Sequence, residues 1–332
     1  MHILITGAAG MIGRKLTRRL VIDGALRGKS IERLTLVDVV APEKAAGSSA
    51  KIDSLACDIA NAQESMRLIQ RRPDVVFHLA AIVSGEAEID FDKGYRINLD
   101  GTRNLLEAIR AVASHDGTEV YRPKFVFASS IAVFGAPFPD PIPDEFHLTP
   151  LTSYGTQKAI CELLLADYSR RGILDGIGIR LPTIVVRPGR PNKAASGFFS
   201  SIIREPLVGE EAVLPVDESV RHWHASPRAA VDFLLHGAGL EREALGPRVD
   251  LTMPGVGCSV AEQIAALGRV AGARAVARIR REPDPLVSRI VAGWPTRFDA
   301  RRALPLGFRA EQTFDEIIRI HIEDELHGKI AD

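Results

Sequence analysis

Short apolar runs alternate with helical stretches through the first half of the chain. "HILIT" (2–6) is an apolar run that meets a glycine turn. Beyond it, in "MIGRKLTRRLVIDG", Ile12, Leu16, Leu20 and Val21 recur at helical spacing until Gly24 stops the pattern. "RLTLVDV" (33–39), "DVVFHLA" (74–80) and "KFVFASS" (124–130) read as further strands. Between the last two, Leu99, Leu105, Leu106, Ala108 and Ile109 predict one long helix over about 90–113. A helix over 153–171 then leads to a strand in "GIGIRLPT" (176–183). Continuous apolar strands alternating with helices need cover on both faces, which predicts an α/β fold with a Rossmann-type doubly wound parallel sheet.

The pattern breaks after residue 182. "VVRPGRPNKAASG" (185–197) is rich in Pro, Gly and basic residues and reads as a loop. We therefore expect one domain over 1–182, with about 218–252 packing back on it through a helix at 227–239. A smaller region is expected over 183–217 and 253–332. In that region "ARAVARIRRE" (273–282) alternates basic and small apolar residues and reads as a strand with one solvated face.

Composition narrows the class. The chain has 332 residues, and 46% of them are hydrophobic, enough for a sizeable core. Lys+Arg and Asp+Glu are equal at 42 each, so neither nucleic acid nor an anionic membrane surface is an expected partner. Cys57, Cys161 and Cys258 are too scattered for a disulfide framework or a metal knuckle. The start "MHILITG" is already strand-like, and no apolar run is long enough to span a bilayer. The expectation is a cytoplasmic protein, with a homodimer as one arrangement the sequence allows. His222 and His224 are the nearest approach to a histidine cluster, and two histidines alone make a poor zinc site, so no metal is expected. His78, at the end of an apolar strand, reads as a satisfied core histidine.

The candidate chemistry starts in "ITGAAGMIG" (5–13). Gly7, Gly10 and Gly13 stand between a strand and a helix, where small residues let a pyrophosphate approach the backbone and the helix terminus offers N–H groups. Asp38 ends the second strand 38 − 13 = 25 residues after Gly13. A carboxylate there accepts hydrogen bonds from ribose hydroxyls and repels a 2′-phosphate, which predicts NAD rather than NADP. Downstream, Ser130 ends a strand, and Tyr154 and Lys158 are i and i+4 on one helix face. A free phenol titrates near 10 and is a poor base at neutral pH, whereas a cation one turn away favours the phenolate. The serine can orient a substrate oxygen. Ser84, just past "HLAA", is within reach of the same region.

Taken together, "TGAAGMIG", "HLAA", "NLDGTRNLLEA", "SSIAVFG" and "YGTQK" resemble the extended short-chain dehydrogenase/reductase family, whose loop is T-G-x-x-G-x-x-G. The motifs span residues 1 to about 190. The resemblance implies a Ser130–Tyr154–Lys158 triad and bound NAD. It implies a cofactor site of Gly7, Gly10, Met11, Ile12 and Gly13 at the loop; Asp38; Asp58 and Ile59 near the adenine; Leu79, Ala80 and Ala81 beside ribose and phosphate; and Asn98, Tyr154, Lys158 and Pro182. The departures are informative. Ile131 and Ala132 stand where dehydratases carry acidic groups after the serine, Phe134 replaces a tyrosine, and "RLPT" with Pro182 and Thr183 stands where epimerases carry an asparagine for the substrate diphosphate. That leaves hydride transfer at a simple carbinol, closest in character to the sugar-acid dehydrogenases of D-erythronate and uronates. The expected substrate set is Ser84, Ser130, Thr183, Arg187, Arg190 and Arg221, with an arginine of the 185–197 loop gripping the carboxylate. The alternatives are a nucleotide-sugar 4-epimerase using the same triad and a non-catalytic NAD-binding regulator.

Overall fold

The structure, a computed structural model, describes residues 1–113, 121–189 and 195–331. Along the chain, β1 (His2–Thr6) leads through the glycine turn into α1 (Met11–Asp23). Gly24 closes that helix with φ 60°, a left-handed conformation suited to a residue without Cβ, and returns its N–H to Leu20 O. β2 (Arg33–Asp38), β3 (Lys51–Ala56), α2 (Ala62–Ile69) and β4 (Val75–His78) follow. After α3 (Gly101–Ala113) come β5 (Lys124–Ser130), α4 (Ser153–Arg170) and β6 (Asp175–Leu181). The later elements are β7 (Thr183–Ile184), α5 (Phe198–Leu207), β8 (Arg221–Ala225), α6 (Pro227–Gly239), β9 (Asp250–Thr252), β10 (Val256–Ser259), α7 (Val260–Val276) and α8 (Phe314–Leu326).

Seven strands form one sheet in the order β9-β6-β5-β4-β1-β2-β3. β1 pairs parallel with β2, from His2 opposite Arg33 to Thr6 opposite Val37, and parallel with β4 on its other side. The chain runs outward from β1 through β2 to β3, then returns to start again at β4. The strand order thus reverses between β1 and β4, and the crevice beyond the carboxyl ends of those two strands is where a doubly wound sheet binds ligands. The Rossmann-type fold expected from the strand pattern is the fold observed. A core of Leu4, Val37, Leu105, Ile109, Phe125 and Phe127 packs around this sheet, each of them essentially buried.

By internal contacts the chain divides into two compact units. The first holds residues 1–133, 152–180 and 231–251; the second holds 134–151, 181–230 and 252–332. The sequence reading grouped 134–151 and 218–230 with the first region, whereas contacts group both with the second. The second unit has its own core, with Val185, Phe199, Ile202, Leu267 and Ile317. It also has its own sheet, β7-β8-β10, in which Thr183 lies opposite His224.

Three elements differ from the pattern-based expectation. The helix expected over 90–113 is broken: a turn at Phe91–Gly94 runs into a π-helical stretch, Tyr95–Asp100, before α3 starts. Within that stretch Asn98 turns inward to hydrogen-bond Ile82 and Gln157, a reason for the extra residue in the turn. The stretch 273–282 is not one strand. Its alanine-rich start completes α7 after a break at Gly272 (φ 82°), and only Ile279–Arg281 is extended. Finally β3, "KIDSLA", joins the sheet at its edge although no apolar run announces it. Among the described residues no helix is long and apolar enough to cross a membrane.

Candidate functional site

The glycine turn is built by exclusion of side chains. At Gly7, with φ +74°, a Cβ would sit 2.6 Å from the Ala80 amide nitrogen, and at Gly13 it would sit 2.2 Å from the Gly7 carbonyl oxygen. Backbone cannot yield at such distances, so both positions require glycine. Gly10 is the N-cap of α1 and supplies no capping side chain, and the first turn of that helix, which includes Met11 and Ile12, carries no acid. The positive end of the helix therefore lacks a built-in anion. A cradle of backbone only, at a helix N-terminus and the sheet's reversal point, fits the pyrophosphate of a dinucleotide.

Asp38 stands over this turn. One carboxylate oxygen accepts from Ala9 N at 3.0 Å and the other from Val39 N at 2.8 Å. The protein thus fixes the carboxylate's position with two amides. Asp58 accepts from Ala60 N and pairs with Arg96 at 2.6 Å. Partial burial pushes its carboxyl up, but the Arg96 guanidinium and the amide outweigh this and hold it below the ordinary range. Ile59 is buried beside it. Leu79, Ala80 and Ala81 leave the end of β4 as irregular backbone, and Leu79 N donates to Thr6 O. Asn98 is buried, and its side chain braces Ile82 and Gln157. His78 is a satisfied core histidine. The hydroxyl of Thr102 donates to Asn98 O, so His78 Nε2 donates to Thr102 at 2.8 Å and Nδ1 accepts from Thr6 at 2.7 Å. Burial pulls its pKa down to about 3, so the ring is neutral.

The end of β5 and the first turns of α4 bring Ser130, Tyr154 and Lys158 into one unit. Thr152 caps α4 by accepting from Gly155 N at 3.0 Å, and Glu88 accepts from Ser153 N. These bonds fix the turn that carries Tyr154. Lys158 is 3% exposed. Its Nζ donates to Ala128 O at 2.8 Å, lies 4.7 Å from the Phe127 ring centroid and 5.7 Å from that of Tyr154. Burial lowers its pKa to about 8, with Cys161 and Glu162 opposing. The Ser130 hydroxyl accepts from Ala132 N at 3.1 Å. Ser84 begins the short helix Ser84–Ile89.

Beneath these residues lies a buried network that the sequence reading missed. Glu162, 1% exposed, receives both Nε and Nη2 of Arg180 and the hydroxyl of Ser129. Its sequence signal was present: Glu162 lies four residues beyond Lys158 on the same helix face.

In the second unit, Pro182 and Thr183 follow directly on β6. The arginines expected to hold a carboxylate differ in setting. Arg187 is not a solvated loop charge; its Nε donates to Ile184 O at 2.9 Å and its Nη2 to Ser196 at 2.8 Å. Arg190 lies outside the described residues. Arg221 is exposed and pairs with Glu262 at 3.1 Å. His222 and His224 are buried, and among the described residues there is no group of three or more His, Cys, Asp or Glu that could hold a metal ion.

Comparison with known proteins fits this arrangement. Residues 3–227 match the model of the NAD dependent epimerase/dehydratase family. The chain is 46% identical over 328 residues to a D-erythronate dehydrogenase of Cupriavidus necator, covering 98% of each chain. It is 41% identical to a D-erythronate dehydrogenase of Haemophilus influenzae, over 98% of this chain and 100% of that one. Among solved structures it is similar to a nucleoside-diphosphate-sugar epimerase from Agrobacterium tumefaciens, with TM-score 0.97 and 66% identity, covering 100% of this chain and 96% of that one. An L-threonine dehydrogenase from Cupriavidus necator shares the fold, with TM-score 0.83 at 22% identity over 98% of this chain and 99% of that one. The backbone cradle after β1, the reversal of strand order beside it and two relatives alike from end to end agree: this chain belongs to the NAD dependent epimerase/dehydratase family.

Proposed function

We propose that the protein is an NAD-dependent dehydrogenase that oxidises a hydroxyl of a small sugar acid, with D-erythronate the leading substrate. The observation that carries the chemistry is the buried Lys158 one helical turn from Tyr154 at the end of β5. The substrate class is supported by the two D-erythronate dehydrogenases to which the chain is similar over nearly its whole length.

In this reading Tyr154, as phenolate, takes the proton from the carbinol oxygen as the carbon gives up its hydride, leaving a carbonyl. When bound, NAD supplies the nicotinamide ring that accepts the hydride. Lys158, as ammonium, stabilises the phenolate electrostatically and is itself steadied by Ala128 O. Ser130 donates to the substrate oxygen and sets its angle to Tyr154. Met11, Ile12 and Gly13 hold the pyrophosphate through the N–H groups of the first turn of α1, while Gly7 and Gly10 shape the cradle, Gly10 N donating to Gly7 O at 3.1 Å. Asp38, fixed by two amides, accepts from the adenosine ribose, while Asp58, Ile59, Leu79, Ala80, Ala81, Asn98 and Pro182 complete the cofactor's surroundings. Arg187 is the leading grip for the carboxylate, because hydrogen bonds on two of its nitrogens hold the guanidinium in one pose. Ser84, Thr183, Arg190 and Arg221 complete the substrate set.

A second reading, nucleotide-sugar epimerase, is favoured by the similar Agrobacterium tumefaciens structure of that title. It is opposed by Thr183 at the place where epimerases resemble one another in an asparagine. The test is a screen of sugar acids of four to six carbons with NAD, read by the near-ultraviolet absorbance of reduced nicotinamide. A dehydrogenase accumulates NADH with its acid. An epimerase regenerates its cofactor each turnover and shows no net change, and that result with every acid would defeat the proposal.

A further inference from the structure

The second unit contains a buried histidine whose two ring nitrogens have different fixed jobs. His222 Nδ1 lies 2.7 Å from Pro295 O, and Nε2 lies 2.6 Å from the hydroxyl oxygen of Thr183. A carbonyl oxygen can only accept, so Nδ1 carries the hydrogen. The ring is neutral: it is 3% exposed, and burial, with Arg187 adding to it, brings its pKa down to about 4 against the opposing pull of the Pro295 carbonyl. A neutral ring protonated at Nδ1 has a bare lone pair at Nε2. The Thr183 hydroxyl must therefore donate to it. Nor can the ring flip readily. It stacks on Phe199 with centroids 5.4 Å apart and planes 10° apart, and Trp294 lies 5.1 Å away. β7 and β8 hold the backbone register that sets Thr183 beside this strand.

We propose that His222 is a positioning residue that commits the Thr183 proton inward, so that Thr183 presents only acceptor lone pairs to the substrate and selects a hydroxyl hydrogen there rather than a carboxylate oxygen. The inference rests on the dehydrogenase reading above and adds to it a division of labour. The carboxylate end of a sugar acid belongs to a guanidinium. A neighbouring, non-reacting hydroxyl donates to Thr183. A carboxylate oxygen, itself acceptor-only, would meet acceptor lone pairs at Thr183 and be repelled, which fixes the orientation of a short molecule whose two ends are otherwise similar in size.

Two measurements decide it. Long-range proton–nitrogen NMR of histidine-labelled native protein, with His222 assigned by its loss in His222→Phe or His222→Gln, reads the tautomer without any substrate. Nδ1-protonated neutral imidazole at neutral pH is expected, and an Nε2-protonated or doubly protonated ring overturns the proposal. The second is kcat/KM for the four-carbon trihydroxy acid and its monodeoxy analogues. Among analogues that keep the oxidised carbinol, one should lose roughly tenfold, mainly in KM, for its missing hydrogen bond. Thr183→Val should erase that preference, Thr183→Ser should keep it, and His222→Phe should erode it without a further loss in the double variant with Thr183→Val. If the variants lower kcat/KM for all acids alike, His222 is structural and the proposal fails while the dehydrogenase reading stands. If the native enzyme oxidises no sugar acid, the dehydrogenase reading falls first and takes this one with it.

Discussion

Replacing Lys158 with methionine should change stability in a pH-dependent way while removing activity. The lysine is buried, and its amine is less basic in the folded protein, about 8 against an ordinary 10.5. Each tenfold step in proton affinity is worth 1.36 kcal/mol, so keeping the ammonium charged inside the fold costs about 3 kcal/mol at pH 7. Because the folded value is the lower one, the unfolded chain binds more protons between about pH 8 and 10.5, and native stability rises with pH across that window. The cost is complete below about pH 8 and falls to roughly 1–1.5 kcal/mol by pH 9.5. Methionine has nearly the same length and removes this cost, but it also leaves Ala128 O without its donor, a loss of about 1–3 kcal/mol that does not depend on pH. The sign of the net change at pH 7 thus depends on two comparable quantities. Its pH dependence depends on only one. Urea unfolding of both proteins at pH 7 and 9.5 should show the variant's standing relative to the native chain worsening by about 2 kcal/mol as pH rises. A difference that is flat with pH would refute the view that Lys158 is a desolvated cation. At pH 7 the same variant should lose kcat by roughly 10²–10⁴, the range for a disabled acid–base group.

Other substitutions probe the remaining parts. Tyr154→Phe should cut kcat by roughly 10²–10⁴ with little change in NAD affinity measured by calorimetry; near-normal turnover would put the base elsewhere. Asp38→Ser should lose preference for NAD over NADP in kcat/KM, and an unchanged ratio would mean another group excludes the 2′-phosphate. Gly13→Ala places a Cβ 2.2 Å from Gly7 O, so the turn must deform; NAD binding should weaken by at least tenfold, and full binding would show the turn is not the cradle. Arg187→Met should raise KM for the acid far more than for its lactone, while equal effects on both would move the carboxylate grip to another arginine.

What could be read from the sequence was whatever local pattern decides. β1, the glycine turn and α1 are contiguous, so their apolar spacing and glycines carry the whole instruction. Tyr154 and Lys158 were legible for the same reason, being one turn apart on α4. β3 was not, because an edge strand with half-exposed residues such as Asp53 and Ser54 needs no apolar run. The break at Tyr95–Asp100 was hidden because it answers to Asn98 meeting Ile82 and Gln157, groups brought together only by folding. The roles of Arg180 and His222 were hidden likewise: Arg180 meets Glu162 from a different element, and His222 finds Pro295 O 73 residues away. Distant partners leave no periodic trace.

The place of β9 at the edge of the large sheet has a consequence for how the protein is made. Six strands of that sheet are complete once Leu181 has been synthesised, but β9, which flanks β6, begins at Asp250, 250 − 181 = 69 residues later. At ordinary translation rates of about 5–20 residues per second, β6 waits roughly 3–14 s on the ribosome as an uncovered edge. Its Ile177 and Ile179, fully buried in the finished fold, have neither α6 nor β9 available in that interval. An unpaired apolar edge is a template for pairing with a neighbouring nascent chain. Polysomes crowded with this message, not the finished enzyme, are therefore where its aggregation should begin, and chaperone capture should peak on chains between about 180 and 250 residues long.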